Sequence, residues 1–134
     1  MSGLVLKLNP KERVLVNGAV IENGDQRSRL SILTPNANIL RLRDALRPDE
    51  VNTPVRRVCY IAQLVLSGDA DRENAKIQIL QDIEQLSQAL CDSDSREQLS
   101  AATEATSQND FYRTLKSLRS LLPREARLLA VKQQ

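Results

Sequence analysis

The 134-residue chain contains no histidine and has only two cysteines, four glycines and three aromatic residues. Without histidine it lacks the commonest metal ligand and the side chain that most often serves as a general base. Two cysteines that are far apart cannot build the usual zinc sites. The four glycines form neither of the glycine-rich phosphate-binding motifs. The composition therefore predicts a protein that is not an enzyme and has no metal or cofactor.

Long apolar runs are also missing. No run approaches the roughly 18 residues that a transmembrane helix needs. Residues 1–10 lack the basic and apolar regions of a secretory signal. The two cysteines, Cys59 and Cys91, both lie in helical patterns, and nothing in their spacing supports a disulfide. These features predict a cytoplasmic protein with no membrane contact.

Charge is distributed unevenly along the chain. Residues 1–57 carry ten Lys or Arg and six Asp or Glu, residues 58–112 carry three and ten, and residues 113–134 carry six and one. A basic head, an acidic middle and a basic tail predict surfaces for different partners. Solvated helix faces would give the same blocks of charge, so this alternative stays open for the tail.

Short runs of alternating apolar and polar residues in the head predict strands. Two Asn-Gly dipeptides, at 17–18 and 23–24, are strong hairpin signals because both residues tolerate the positive φ of a type I′ turn. The predicted strands are Leu4 to Leu8, Arg13 to Val16, Ala19 to Glu22, Ser28 to Leu33 and Ile39 to Leu42. Period-2 alternation with tight turns predicts a small antiparallel sheet or barrel.

The rest of the chain has helical periodicity. Thr53 and Pro54 predict a helix start, and Gly68 predicts its end. A stripe follows at helical spacing: Ile77, Leu80, Ile83, Leu86 and Leu90. It predicts an amphipathic helix whose apolar face lies in the core or against a partner.

The last third of the chain has weaker signals. Residues 92–108 predict a helix or a partly ordered connection. Ser107 to Asp110 match a capping box for a helix through Phe111, and Pro123 ends or restarts that helix before a basic terminal helix or frayed tail. The predicted fold is α+β: a small five-stranded antiparallel head at residues 1–47, then a three- to four-helix part at residues 48–134.

Basic side chains on the predicted strands and turns form a candidate RNA-binding set. Its members are Lys7, Arg13, Arg27, Arg29, Arg41 and Arg43. Such a set suits phosphates, and Arg also reads guanine edges, which RNA loops expose. The head has no aromatic residue, so stacking of bases on its sheet is excluded. The alternative is that these side chains only keep an open sheet soluble.

Three segments resemble the flagellar biosynthesis repressor family, FlbT. Within the first 68 residues the chain has, in this order, LKLNPKERVLVNGAVIENGD, LRLRDAL and TPVRRVCYIAQL. The resemblance implies a post-transcriptional regulator that binds the 5′ untranslated region of flagellin mRNA, represses its translation and promotes its decay. Some members of the family act as activators. The resemblance also implies a partner, the small helical protein FlaF, which has the opposing effect.

The head also resembles the carbon storage regulator family, whose five-stranded protomers interlock as dimers and bind GGA-bearing RNA loops. In that comparison Arg43 falls on the family's RNA-contacting arginine, and Lys7 falls in its basic first strand. The first strand here has Leu6-Lys7-Leu8 where that family has two arginines. The comparison leaves open a homo-oligomer, with or without exchanged strands.

A second hypothesis is a protein–protein adaptor that binds FlaF or flagellin and affects the mRNA indirectly. Its candidate surface is Arg56, Arg57 and Tyr60, on the first predicted helix. The alternative role of these three residues is to pack that helix onto the sheet. Binding of flagellin leader RNA by the purified chain alone would favour direct regulation over the adaptor.

Overall fold

A computed structural model describes residues 3–132, apart from the side chain of Lys132, so the ends of the predicted head and tail lie outside the described residues. The fold is α+β, as predicted, and its described part has five strands followed by five helices. The strands are β1 (Leu4–Leu8), β2 (Arg13–Val16), β3 (Ala19–Glu22), β4 (Ser28–Ile32) and β5 (Ile39–Arg41). The helices are α1 (Pro54–Leu66), α2 (Arg72–Ala89), α3 (Ser93–Ser107), α4 (Phe111–Arg119) and α5 (Leu122–Lys132). The expected count of three or four helices is too low, because residues 93–107 form a full helix and Pro123 lies in the first turn of another.

The strands are divided between two antiparallel sheets rather than joined in one. β1 pairs with β4, and the second sheet has the order β3-β2-β5. The first Asn-Gly turn is confirmed: Asn17 and Gly18 have φ values of 48° and 88° between β2 and β3, as a type I′ turn requires.

The prediction of a second Asn-Gly hairpin is wrong. Neither Asn23 nor Gly24 has a positive φ, and β3 does not pair with β4. The Asn23 side chain instead donates hydrogen bonds to the backbone oxygens of Asn9 and Gln26, at 2.8 and 2.9 Å, and accepts one from Ser28. These bonds hold the chain as it crosses from one sheet to the other.

Each of the first four helices has a side-chain N-cap at its start. Thr53 accepts a hydrogen bond from the backbone of Arg56 at 3.2 Å, which confirms the predicted start of α1. The predicted capping box at Ser107 is wrong, because Ser107 is the last residue of α3 and Asp110 caps α4. Asn109, with a φ of 61°, separates the two helices.

The apolar stripe predicted for α2 is partly correct. Ile83, Leu86 and Leu90 are buried, but Ile77 is 58% exposed. Ile79, which the stripe omits, is fully buried in its place. Because Ala75 is also buried, the core-facing side of α2 begins before Ile77 but excludes it.

Two apolar clusters fill the protein. The larger lies among the helices and includes Leu40 of β5. The smaller lies in the head and has Tyr112 of α4 packed against it. Each cluster thus takes a side chain from the other part of the chain, and the division at residue 47 stays a prediction.

The larger cluster also contains the thiol of Cys59, whose pKa burial raises to about 12. Cys91 is exposed, and both cysteines are free.

Candidate nucleic-acid interface

The outer face of the β1–β4 sheet carries two opposed cations. Lys7 on β1 is the direct register partner of Arg29 on β4. Leu6 and Leu8 are buried on the other face of β1, so alternation turns Lys7 and Arg29 outward together. No salt bridge formed within residues 3–132 involves either side chain. We call this pair the basic sheet face.

Arg13 lies on the other sheet and has a partner. Its Nε is 2.9 Å from Oε1 of Glu22, the residue directly opposite on β3. This hydrogen bond, together with the charge of Arg13, lowers the pKa of the Glu22 carboxyl. Arg27 is exposed in the connection that leads into β4. The structure therefore does not place all the predicted RNA-binding side chains on one face.

Arg41 departs most from the expectation that the basic side chains turn outward. Its side chain is 10% exposed, and its Nη1 lies 3.2 Å from Oε2 of Glu12, whose side chain is 5% exposed. Its Nη2 also donates to the backbone oxygen of Lys7 at 3.0 Å. Arg41 thus joins β5 to β1 and holds the backbone beside Lys7.

Arg43 lies just beyond the end of the sheet. The fifth strand stops at Arg41, one residue before its predicted end, and Leu42–Asp44 forms a 3₁₀ helix. The Arg43 side chain is 52% exposed, and its nearest carboxylate oxygen, on Glu12, is 3.6 Å away. Its guanidinium therefore stays accessible to a ligand.

A cleft of about 420 Å³ separates this part of the head from α4. Lys7, Arg41 and Arg43 line it from the head, and Tyr112, Lys116 and Arg119 line it from α4. We call it the α4 cleft.

The sequence-based set does not contain the three α4 residues, although Lys116 and Arg119 belong to the basic tail. Tyr112, Lys116 and Arg119 are spaced by four and three residues, which puts them on one helix face. That spacing was the available signal. It does not say which neighbour the face meets, so the link to the head could not be predicted.

The three residues proposed to bind a protein partner lie in different environments. Arg57 lines an apolar groove of about 690 Å³ between α1, α2 and α5. Arg56 is partly buried, and its Nη1 donates to Asn52 at 3.3 Å. Tyr60 is half-buried on α1, outside that groove.

Two further kinds of site are absent from the part of the chain that the structure describes. It contains no group of three or more side chains arranged to hold a metal ion. None of its helices is both long and apolar enough to cross a bilayer.

The fold and surface define a small α+β protein with a basic sheet face that continues into a basic cleft. A family model described as flagellar protein FlbT matches residues 4–129. The chain therefore belongs to the FlbT family, as the sequence motifs indicated.

Curated relatives support this membership over most of the chain. A protein of Bradyrhizobium diazoefficiens, named a probable flagellum biosynthesis repressor protein FlbT 1, is 35% identical over 127 residues, which cover 93% of this chain and 84% of the relative. A similarly named protein of Brucella anthropi is 29% identical over 94% of this chain and 82% of its own length. The flagellum biosynthesis repressor protein FlbT of Caulobacter vibrioides is 37% identical over 70 residues, about half of either chain. No solved structure gives a significant match.

Proposed function

We propose that this chain represses flagellin synthesis by binding directly to the 5′ untranslated region of flagellin mRNA. The names of its relatives, flagellum biosynthesis repressors, support the regulatory role. The observation that carries the RNA contact is the basic sheet face, on which Lys7 and Arg29 are directly opposed.

This pair weakens the sheet that bears it. Like charges directly opposite each other on antiparallel strands are destabilising, whereas opposite charges there contribute about 0.2–1 kcal/mol. The neighbouring hairpin has the favourable arrangement, Arg13 opposite Glu22. An unfavourable pair on a small sheet is explained if an anion binds between the two cationic side chains, and an RNA phosphate is such an anion.

Four of the predicted RNA-binding side chains suit this role. Lys7, Arg27 and Arg29 are exposed, and Arg43 is half-exposed. Arg13 is engaged with Glu22, and Arg41 is held in a buried ion pair. We assign Arg41 to the positioning of Lys7, while the other four bind the RNA.

The substitution Lys7→Glu should have opposite effects on the stability of the chain and on its binding to leader RNA. The new carboxylate would face Arg29, so the free energy of unfolding should rise by about 0.2–1 kcal/mol. Binding to the leader should fall, because one phosphate contact is lost and a repulsive charge replaces it. Urea unfolding and fluorescence anisotropy with labelled leader RNA over a salt series measure the two effects.

The matched control is Arg96→Glu, which reverses an exposed charge on α3 away from the head. It should leave leader binding unchanged. If Lys7→Glu binds the leader as tightly as the wild type, the basic sheet face is not an RNA surface. If the wild-type chain alone does not bind the leader at all, direct regulation is wrong.

The second candidate function is the adaptor, and the groove between α1, α2 and α5 favours it. The groove is mainly apolar, with Leu86, Leu128 and Leu129 among its lining residues and Arg57 at its wall. Such a groove suits the apolar face of a helix from a partner such as FlaF. Calorimetry with purified FlaF tests the adaptor hypothesis, which predicts that Arg57→Glu weakens the binding of FlaF. The same hypothesis predicts that the wild-type chain binds leader RNA only when FlaF is present.

A further inference from the structure

The α4 cleft brings together three segments that are distant in the sequence. Its lining comes from the end of β1, from β5 with the 3₁₀ helix that follows it, and from α4. Its volume, about 420 Å³, lies within the range of roughly 300–1,000 Å³ that is usual for sites of small organic groups. The cleft is also continuous with the basic sheet face, because Lys7 belongs to both.

The cleft has an excess of positive charge. Five cationic side chains line it: Lys7, Arg41, Arg43, Lys116 and Arg119. Two carboxylates oppose them, Asp44 in the lining and Glu12 behind Arg41. Five cations against two carboxylates leave an excess of three positive charges, which favours an anionic ligand.

The five cations divide into two groups. Arg41 and Arg119 hold the cleft together, because Arg119 donates to the backbone oxygen of Asp44 at 3.0 Å and also lies 3.6 Å from its carboxylate. Lys7 and Lys116 take part in no salt bridge within residues 3–132. Together with Arg43, they are the groups available to a ligand.

The α4 wall also supplies an aromatic side chain. Tyr112 lies one turn before Lys116 and lines the same cleft. The β head itself contains no aromatic residue, so its strands alone cannot stack a base. Grooves that bind single-stranded nucleic acids combine cationic side chains, which contact the phosphate backbone, with aromatic side chains, which stack on the bases. The α4 cleft has both parts.

We propose that the α4 cleft holds one nucleotide of single-stranded RNA, with its phosphate against Lys7, Arg43 and Lys116 and its base against Tyr112. This assignment rests on the proposed function and extends the RNA surface from the sheet to the helical part. It explains why α4, one face of which packs into the helical core, carries cations toward the head.

The test uses the full chain and fluorescein-labelled flagellin leader RNA in anisotropy titrations over a salt series. Lys116→Ala should weaken binding and make the plot of log K against log salt concentration shallower by about 0.7, the value for one phosphate contact with a single strand. Arg96→Ala removes an exposed helical cation outside the cleft and should change neither quantity.

Tyr112 is tested with two substitutions. Tyr112→Phe keeps the ring and should bind the leader as the wild type does. Tyr112→Leu should bind roughly 5- to 150-fold more weakly, the range for loss of one stacked base. Because Tyr112 also packs against the head core, thermal unfolding accompanies each titration, and Lys116→Ala decides the outcome if Tyr112→Leu does not fold.

The results distinguish this inference from the proposed function. If the wild-type chain binds the leader but Lys116→Ala has the same affinity and salt slope, the cleft assignment is wrong and direct binding stands. If adenosine monophosphate binds the wild-type chain as tightly as the leader does, the cleft is a site for a free nucleotide. That result would overturn the assignment to an RNA strand. No leader binding by the wild type would overturn both proposals.

Discussion

At the scale of single residues, the glycines of the two Asn-Gly dipeptides differ in backbone conformation but not in the space around them. Gly18 has a φ of 88°, whereas Gly24 lies outside the left-handed region. A Cβ added at either glycine would meet no atom within 4 Å. Substitutions at the two glycines therefore test the effect of backbone conformation without any difference in packing.

Gly18→Ala should lower the free energy of unfolding by about 1–2 kcal/mol, because an L-residue is strained at positive φ. Gly24→Ala should leave it unchanged or raise it by about 0.4–1 kcal/mol, because alanine restricts the unfolded chain. Urea denaturation of the two variants measures the difference. Equal effects would mean that the turn between β2 and β3 is not of type I′.

At the scale of elements, α2 shows how packing selects among apolar residues of one helix. Leu86 is 6% exposed within the helical core, while Ile77 is 58% exposed. Leu86→Ala should therefore cost about 2–5 kcal/mol of unfolding free energy. Ile77→Ala, a truncation at the surface, should change it by less than about 0.5 kcal/mol.

Equilibrium unfolding of both variants checks this, with FlaF binding measured alongside. A stable Leu86→Ala that loses affinity for FlaF would make Leu86 a contact residue and contradict its place in the core. Leu86 also lines the groove between α1, α2 and α5. Calorimetric titration with FlaF therefore separates its role in the core from a role in partner binding.

At the scale of the whole molecule, the head and the helices are joined by shared packing and hydrogen bonds. Leu40 of β5 is 4% exposed within the helical cluster. The Gln63 side chain accepts from the Leu46 backbone N–H at 2.7 Å and donates to its carbonyl at 3.0 Å. Arg72 donates to the side chain of Asn38 at 3.0 Å.

These links predict that both parts unfold in one transition. Far-ultraviolet circular dichroism follows the helices, and hydrogen exchange of β1 and β2 amides follows the head. The two probes should give the same urea midpoint. Leu40→Ala should lower both midpoints equally, whereas two separate midpoints would show that the head and the helices fold independently.

Local chemistry made several elements predictable. The type I′ turn at 17–18 was predictable because Asn-Gly tolerates the backbone conformation that joins two adjacent strands. Thr53 and Pro54 marked the start of α1 for a similarly local reason: the hydroxyl accepts an N–H three residues away. The alternation of β1 also fixed which of its side chains turn inward, and it placed Lys7 on the outside.

Long-range contacts decided the rest. The same Asn-Gly dipeptide at 23–24 forms no hairpin, because the Asn23 side chain bonds to a segment 14 residues earlier. Arg41 turns inward because Glu12, 29 residues away, supplies a buried carboxylate. Lys116 reaches the head because of how α4 packs. Periodicity assigns a residue to a face of its own element, but only the packing of distant elements determines what that face meets.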